Sequence, residues 1–156
     1  MKNDDLQADS ALRNTNKKSL LSAKSSFTVE IRQEWDIVHA RKIGRELSYS
    51  LKFTTVNRAK LVTAISELAR NMYQHAGSGQ IRMEPVHERT KYGIRVTAID
   101  QGPGIKDKNK ALKAGYSTSG GLGVGLPWVK KLMDEFSLES TVDTGTRITI
   151  VKWQII

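Results

Sequence analysis

The spacing of apolar residues predicts one strand and two helices in the first half of the chain. Residues 27–31 alternate apolar and polar side chains as an edge strand does, and from about Glu34 the apolar residues recur every three or four positions, as in an amphipathic helix. The same helical spacing returns after Thr54 or Thr55, either of which can cap a helix, and it stops at Gly77.

The second half of the chain is dominated by strand patterns. These patterns cover residues 79–86, 92–99, 137–142 and 146–154. Polar turns are predicted at residues 87–90 and 143–145, and a helix from about Gly123 to Glu135 lies between the two strand pairs. The order βααββαββ predicts a two-layer α/β sandwich, in which helices cover one face of a mixed β-sheet.

Composition separates a short N-terminal segment from the remainder. Residues 1–26 are rich in Ser, Asn, Lys and Asp and contain no aromatic residue, so we expect a disordered extension. The whole chain has 156 residues and is 38% hydrophobic, which suits one ordinary domain. We therefore expect residues 27–156 to form a single domain.

The chain is basic and contains no cysteine. Of its formal charge of +9, residues 1–26 contribute +2, which leaves +7 on the predicted domain, a charge that attracts nucleotides, nucleic acids or acidic proteins alike. The absence of cysteine excludes disulfides and thiolate metal sites. Since we find neither a long apolar run nor a signal-peptide pattern, we expect a cytoplasmic protein with no membrane partner.

A carboxylate and an amide lie four residues apart in the second predicted helix. Glu67 and Asn71 therefore share one helical face, about one turn apart. A carboxylate can accept the proton of an attacking hydroxyl, and an amide oxygen is a hard, neutral ligand that suits Mg²⁺. By itself such a pair is more often two polar residues on a solvated face, so the interpretation depends on the other motifs.

An acidic residue and a glycine turn follow the third predicted strand. Asp100 ends this strand, and Gly102 and Gly104 allow the backbone to turn tightly before Ile105. A carboxylate accepts hydrogen bonds and cannot donate them, so it suits the exocyclic amine of adenine and repels the carbonyl oxygen of guanine. An ordinary Asp-x-Gly turn without a ligand is the alternative.

Four glycines within six residues open the last predicted helix. Residues 120–125 would place free backbone N–H groups and a helix N-terminus where an anion is favoured, with the hydroxyls of Ser117 and Thr118 just before them. No Gly-Lys-Ser/Thr follows, so this is not a P-loop, and no strand precedes it as a dinucleotide fold requires. The segment is therefore predicted to bind phosphates.

Taken in this order, the three motifs resemble the ATP site of the Bergerat-fold (GHKL) ATPase and kinase superfamily, which includes gyrase, Hsp90, histidine kinases and anti-sigma-factor kinases. Within it the chain resembles the switch serine/threonine kinases of the bacterial stressosome, over residues 27–154. The stretches that carry this narrower resemblance are residues 34–38, 66–71, 100–105, 116–123 and 129–136.

The resemblance implies a role for individual residues and two cofactors, ATP and Mg²⁺. Glu67 would be the catalytic base, Asn71 the Mg²⁺ ligand, and Asp100 the adenine contact. The other positions implied to bind the nucleotide are Gly102, Gly104, Ile105, Ser117, Thr118, Gly120, Gly121, Leu122, Gly123, Val124, Gly125 and Thr146.

The resemblance also implies partners. Such kinases phosphorylate serine or threonine on STAS-domain scaffold and antagonist proteins and, once released, activate a PP2C-type phosphatase. A second function remains open, a nucleotide-gated binding module that sequesters or activates a partner, with phosphotransfer secondary. Because the few aromatic residues are scattered, we expect no nucleic-acid partner.

Two positions depart from the family pattern. Gln74 stands where superfamily members often have a phosphate-binding Lys, and Arg70 is a candidate substitute. Trp128 stands where a small residue is expected, and we expect its ring to lie in the core.

Overall fold

Eight helices and strands make up the part of the chain that the computed structural model describes, residues 26–105 and 125–155. In chain order they are β1 (Phe27–Ile31), α1 (Glu34–Ser50), α2 (Thr55–Ala76), β2 (Gly79–Glu88), β3 (Lys91–Asp100), α3 (Leu126–Leu132), β4 (Glu135–Thr141) and β5 (Gly145–Ile155). The predicted order βααββαββ is confirmed. Of the extension expected to be disordered, residues 1–26, all but residue 26 lie outside the described residues.

The five strands form one sheet in the order β1-β2-β3-β5-β4, with β1 at an edge as predicted. Hairpins join β2 to β3 and β4 to β5. Between β1 and β2 the chain runs out along α1 and back along α2, so that β2 begins beside the last residue of β1. All four pairings among the described strands are antiparallel. A mixed sheet also contains a parallel pair, and none occurs among these strands.

The helices cover one face of the sheet, which completes the predicted two-layer sandwich. α2 is the central helix, since it packs against α1, α3 and four of the strands. Its apolar stripe meets the inward-facing residues of the sheet, and burial of these side chains is the main stabilising contribution. The largest fully buried residues at this interface include Leu61, Ile65, Leu68, Ile81, Met83, Ile94, Val96 and Ile150.

Local signals set the ends of α2 where the sequence predicts them. The Thr54 side chain accepts a hydrogen bond from the Asn57 N–H at 3.2 Å, so it satisfies one of the unpaired donors of the first turn. At the other end, Gly77 has φ +79° and its N–H bonds to the Tyr73 carbonyl. Among the described helices, none is both long and apolar enough to cross a bilayer.

The third helix is shorter than predicted. Helical spacing of apolar residues predicts a helix to Glu135, yet α3 ends at Leu132 and Glu135 begins β4. The Asp134 N–H bonds to the Val151 carbonyl at 3.0 Å, and its carboxylate accepts from the Lys152 ammonium at 3.1 Å. These contacts with β5 replace the next helical turn.

The β2–β3 hairpin is longer and tighter than predicted. Both strands run into the expected turn, so that Glu88 pairs with Lys91 and only residues 89–90 remain as the turn. His87, which the sequence places in the turn, pairs with Tyr92 instead.

Candidate functional site

Asp100 is the last residue of β3 and lies opposite Thr146, at the start of β5. Its Oδ1 accepts a hydrogen bond from the Gly102 N–H at 2.9 Å, which closes the turn after the strand. Among the described residues no donor reaches Oδ2. The half-buried carboxylate is thus held in place by one oxygen, while the other bonds to no described residue.

The glycine at 102 allows this turn to approach the end of α2. A Cβ at Gly102 would lie 2.5 Å from the Cβ of Ala76, in the last turn of the helix, so a larger residue would push the turn away. Gly104 follows against the β4–β5 hairpin, where the Pro103 carbonyl accepts from the Asp143 N–H at 2.9 Å. Asp100 and α2 are therefore fixed relative to each other.

The turn at Gly145 is also closely packed. Gly145 has φ +137°, and a Cβ there would overlap the carbonyl oxygen of Asp100. The β4–β5 hairpin and the end of β3 are in contact at this point, and only glycine fits.

Ser140, on β4, links three parts of this region. Its hydroxyl accepts from the Ile105 N–H at 2.7 Å, donates to the Gly145 carbonyl at 3.1 Å, and lies 3.0 Å from the Thr146 Oγ1. Since the single Ser140 hydrogen goes to Gly145, the Thr146 hydroxyl must be the donor between the two side chains. Thr146 then has only lone pairs to offer a ligand, so it acts there as an acceptor.

Our sequence analysis missed Ser140. A usable signal was present, because Phe136, Leu138 and Ser140 alternate along β4 and the first two pack against the core. A hydroxyl in that inward-facing row needs a polar partner, which here is the loop after β3.

Glu67 and Asn71 lie on α2, as the sequence predicts. Glu67 is only 7% exposed, and its Oε1 accepts from Nη1 of Arg70, one turn later. Its Oε2 has no hydrogen bond to any of the described residues. The arrangement is a largely buried carboxylate with one oxygen oriented by Arg70 and one that no described donor reaches.

The half-buried Asn71 offers an amide oxygen one turn beyond Glu67. No group of three His, Asp or Glu side chains that could hold a metal occurs in the described residues. A single amide ligand fits Mg²⁺ that keeps its waters and takes its remaining ligands from phosphates. Gln74 is exposed. Arg70 is the candidate substitute for a phosphate-binding Lys, and its guanidinium donates to the Glu67 carboxylate.

Of the glycine segment at residues 120–125, the structure describes only Gly125. Gly125 precedes α3, and its carbonyl accepts from the N–H groups of Trp128 and Val129. The expectation that Trp128 lies in the core is wrong, because the side chain is 46% exposed while Pro127 and Val129 are buried on the inner side of the helix. The predicted positions outside the described residues are Ser117, Thr118, Gly120, Gly121, Leu122, Gly123 and Val124.

The structure brings the other predicted positions into two groups. One group lies where β3 ends and β5 begins, and it consists of Asp100, Gly102, Gly104, Ile105 and Thr146. The second group is Glu67 and Asn71 on α2. The contact of Gly102 with Ala76 joins the first group to the helix that carries the second.

Comparison with known proteins agrees with this geometry. Residues 56–154 match the family described as histidine kinase-, DNA gyrase B-, and HSP90-like ATPase. Serine/threonine-protein kinase RsbT of Bacillus subtilis (strain 168) is 57% identical over 125 residues, which cover 80% of this chain and 94% of RsbT. An anti-sigma F factor of Caldanaerobacter subterraneus subsp. tengcongensis is 29% identical over 118 residues, covering 73% of this chain and 82% of that protein.

Solved structures share the fold at low sequence identity. The RsbU and RsbW domains of Rv1364c from Mycobacterium tuberculosis superimpose with a TM-score of 0.60 and 16% identity, over 83% of this chain and 33% of that one. The SiaB-SiaC complex from Pseudomonas aeruginosa gives a TM-score of 0.50 and 13% identity, over 90% and 96% of the two chains. These similarities support the fold alone.

Proposed function

Because this chain belongs to the family of histidine kinase-, DNA gyrase B-, and HSP90-like ATPases, we propose that it is a serine/threonine protein kinase that uses Mg·ATP and phosphorylates STAS-domain proteins. The observation that supports this most directly is the Glu67 carboxylate, oriented by Arg70 through one oxygen, one turn from the Asn71 amide on the helix that contacts the Asp100 turn. The 57% identity to the kinase RsbT, over nearly its whole length, supports the same function.

The adenine end of the nucleotide would lie against Asp100 and Thr146. The Oδ2 of Asp100, which no described donor reaches, would accept from the exocyclic amine of adenine, and the Thr146 oxygen would be a further acceptor nearby. The carbonyl of guanine would instead face two acceptors. The site therefore favours adenine over guanine.

The phosphate end would lie over the middle of α2. The Asn71 amide oxygen would hold the magnesium ion, which neutralises charge that develops on the phosphates when it is bound. Backbone N–H groups of the glycine segment at residues 120–125 would hold the phosphates from the other side.

Glu67 would act as the base of the transfer step. The acceptor hydroxyl oxygen forms a bond to the γ-phosphorus, the bond from that phosphorus to the β,γ-bridging oxygen breaks, and ADP leaves with the electron pair. The hydroxyl proton passes to Oε2 of Glu67. The Arg70 contact on Oε1 keeps the carboxylate oriented, so that Oε2 would meet the acceptor.

The partners we propose are those of a switch kinase. A STAS-domain protein supplies the serine or threonine, and release from it frees the kinase to activate a PP2C-type phosphatase. The formal charge of +7 on residues 27–156 suits acidic docking surfaces on both partners.

The proposed function is tested by incubating the protein with Mg·[γ-³²P]ATP and purified candidate STAS domains, followed by mapping of the labelled residue. We expect label on a serine or threonine, and we expect Asn71→Ala to abolish it. Thr55→Ala, an exposed change at the start of the same helix and twelve residues from Glu67, is the matched control and should transfer at the wild-type rate. Tight ATP binding with label on no acceptor would contradict the kinase function.

The nucleotide-gated binding module is the second candidate, and the 29% identity to an anti-sigma F factor supports keeping it. Glu67→Gln separates the two functions. A kinase loses transfer by a factor of about 10² to 10⁴ and retains ATP binding, because only the base is removed. A binding module keeps its full effect on the partner.

A further inference from the structure

The outer side of α1 carries a continuous row of exposed residues. Trp35, Val38, Lys42, Arg45 and Tyr49 follow one another at spacings of three and four, which places them along one line of the helix. We call this row the α1 stripe. Trp35 is 72% exposed, Tyr49 61% and Val38 54%. The buried residues of α1, on its opposite side, are Ala40, Gly44, Leu47 and Ser48.

The five residues of the α1 stripe are apolar or basic, and the exposed Glu34 and Glu46 lie beside them, four residues from Val38 and Lys42. Lys42 and Arg45 are exposed and form no ion pair with any residue in 26–105 or 125–155. Arg58, from the start of α2, adds a third cation, since its guanidinium lies 5.2 Å from the centroid of the Tyr49 ring. Aromatic residues beside arginines are typical of protein-binding surfaces.

The stripe is on the other side of the molecule from the proposed transfer site. α1 packs against α2 and β1 at one edge of the sheet, whereas α3 packs against α2 and β4 at the other edge. On α2, Ile65 is in contact with Gly44 of α1, and Glu67, two residues later, points to the opposite side of the helix. A protein bound to the stripe therefore leaves Glu67 accessible.

We propose that the α1 stripe binds an acidic amphipathic helix of a partner protein that this chain does not phosphorylate. The apolar residues would receive the i, i+3, i+4 anchors of such a helix, and Lys42, Arg45 and Arg58 would pair with its flanking carboxylates. That this partner is distinct from the phosphate acceptor rests on the proposed function.

Charge argues against the other occupants. A second copy of the chain would place the cations of one stripe against those of the other, which is destabilising. The chain's own residues 1–26 carry a net charge of +2 and would be repelled in the same way. An acidic helix is the occupant that satisfies both the apolar and the basic residues of the stripe.

The experiment uses two synthetic peptides of about 20 residues, both with leucine at heptad positions a and d. One carries glutamate at the flanking positions and the other carries lysine. We expect the full chain, without nucleotide, to bind the acidic peptide and not the basic one, with affinity that falls as salt is raised. Lys42→Glu should weaken this binding by about tenfold, and Trp35→Ala by about thirtyfold.

Arg89→Glu provides the matched control, because Arg89 is exposed in the β2–β3 turn and belongs to neither α1 nor α2. It should bind the acidic peptide as the wild type does. Equal binding of the two peptides, or equal losses in Lys42→Glu and Arg89→Glu, would overturn the proposal. Binding to phosphatidylglycerol vesicles or dimerisation that Lys42→Glu abolishes, without acidic-peptide binding, would overturn it in favour of a lipid surface or a second copy.

Phosphotransfer distinguishes a failure of this inference from a failure of the proposed function. Lys42→Glu should label the STAS acceptor at the wild-type rate, because the stripe lies away from Glu67. A tenfold slower transfer with unchanged ATP affinity would show that the acceptor itself uses the stripe, contrary to the proposal. Peptide binding needs no nucleotide, so it can succeed even if no acceptor is ever labelled.

Discussion

The two ends of the β3–β5 strand pair are held by different kinds of contact. At the Asp100 end, glycine turns and the Ser140 hydroxyl bring loops together, and one oxygen of Asp100 has no hydrogen bond among the described residues. At the far end, the Trp153 indole N–H donates to Glu135, and the Lys91 ammonium lies 4.2 Å from the centroid of the same ring.

The far end also contains an ion pair between a buried ammonium and an exposed carboxylate. Lys152 is 7% exposed, and its ammonium donates to one oxygen of Asp134 at 3.1 Å, while the other oxygen accepts from the Trp153 N–H at 2.7 Å. Both carboxylate oxygens there bond within the protein, whereas only one oxygen of Asp100 bonds to a described residue. The difference indicates that the far end stabilises the sheet, and it is consistent with the adenine contact that we propose for Asp100.

Gly145→Ala should have the largest effect, because it disrupts the Asp100 end. The added Cβ overlaps the Asp100 carbonyl oxygen and demands φ +137° of an alanine. We expect a loss of about 4 kcal/mol in the free energy of unfolding, measured by urea denaturation, together with weaker ATP binding.

Gly77→Ala is the control for this change. Gly77 also has positive φ, yet a Cβ there meets no atom within 4 Å, so only the backbone cost of about 1 kcal/mol applies. Equal losses in the two variants would show that the contact with Asp100 contributes nothing.

Asp134→Ala should destabilise the protein without affecting the nucleotide. It leaves the buried Lys152 ammonium without its carboxylate, which costs about 3 kcal/mol in urea denaturation. ATP affinity, measured by calorimetry on the folded variant, should not change. A weakened affinity would mean that the two ends of the strand pair are coupled.

Asp100→Asn should weaken ATP binding without destabilising the protein. The asparagine oxygen can still accept from the Gly102 N–H, so stability should be nearly unchanged, but an amide N–H₂ group facing the adenine amine loses the charged acceptor. We expect ATP to bind about 30-fold more weakly in calorimetry, equivalent to about 2 kcal/mol. Unchanged ATP affinity would remove Asp100 from the proposed adenine pocket.

Ser140→Ala should give the smallest effect, and it should lower both the stability of the protein and its affinity for ATP. It leaves the Ile105 N–H without its acceptor and frees the Thr146 hydroxyl. We expect a loss of about 1.5 kcal/mol in stability, with a few-fold weaker binding of ATP. Ser137→Ala, an exposed change on the same strand, should leave both quantities at their wild-type values.

The ends of elements could be predicted where the signal is local. Thr54 and Gly77 set the ends of α2 through contacts within a few residues, and both were predicted. The end of α3 depends on Asp134, whose partners Lys152 and Trp153 lie 18 and 19 residues later. The apolar pattern continues through that point, so the sequence alone predicts a longer helix.

The same distinction applies to the candidate site. Glu67, Asn71 and Asp100 stand out because their residue types and spacing carry chemistry within a single element. Ser140 contacts Ile105 across 35 residues, and only the sheet register brings them together. The exposure of Trp128 was also missed, since the neighbours of its helix decide which side faces the core.

The close approach of Gly102 to Ala76 fixes the distance between the Asp100 turn and Glu67 along α2. Nine residues of helix separate Ala76 from Glu67, an axial distance of about 14 Å, comparable to an extended adenine nucleotide. In the pose that we propose, a nucleotide anchored by its base at Asp100 would bring its terminal phosphate to the Glu67 carboxylate only if it had a full triphosphate. The length of the helix between the two positions would then select for ATP.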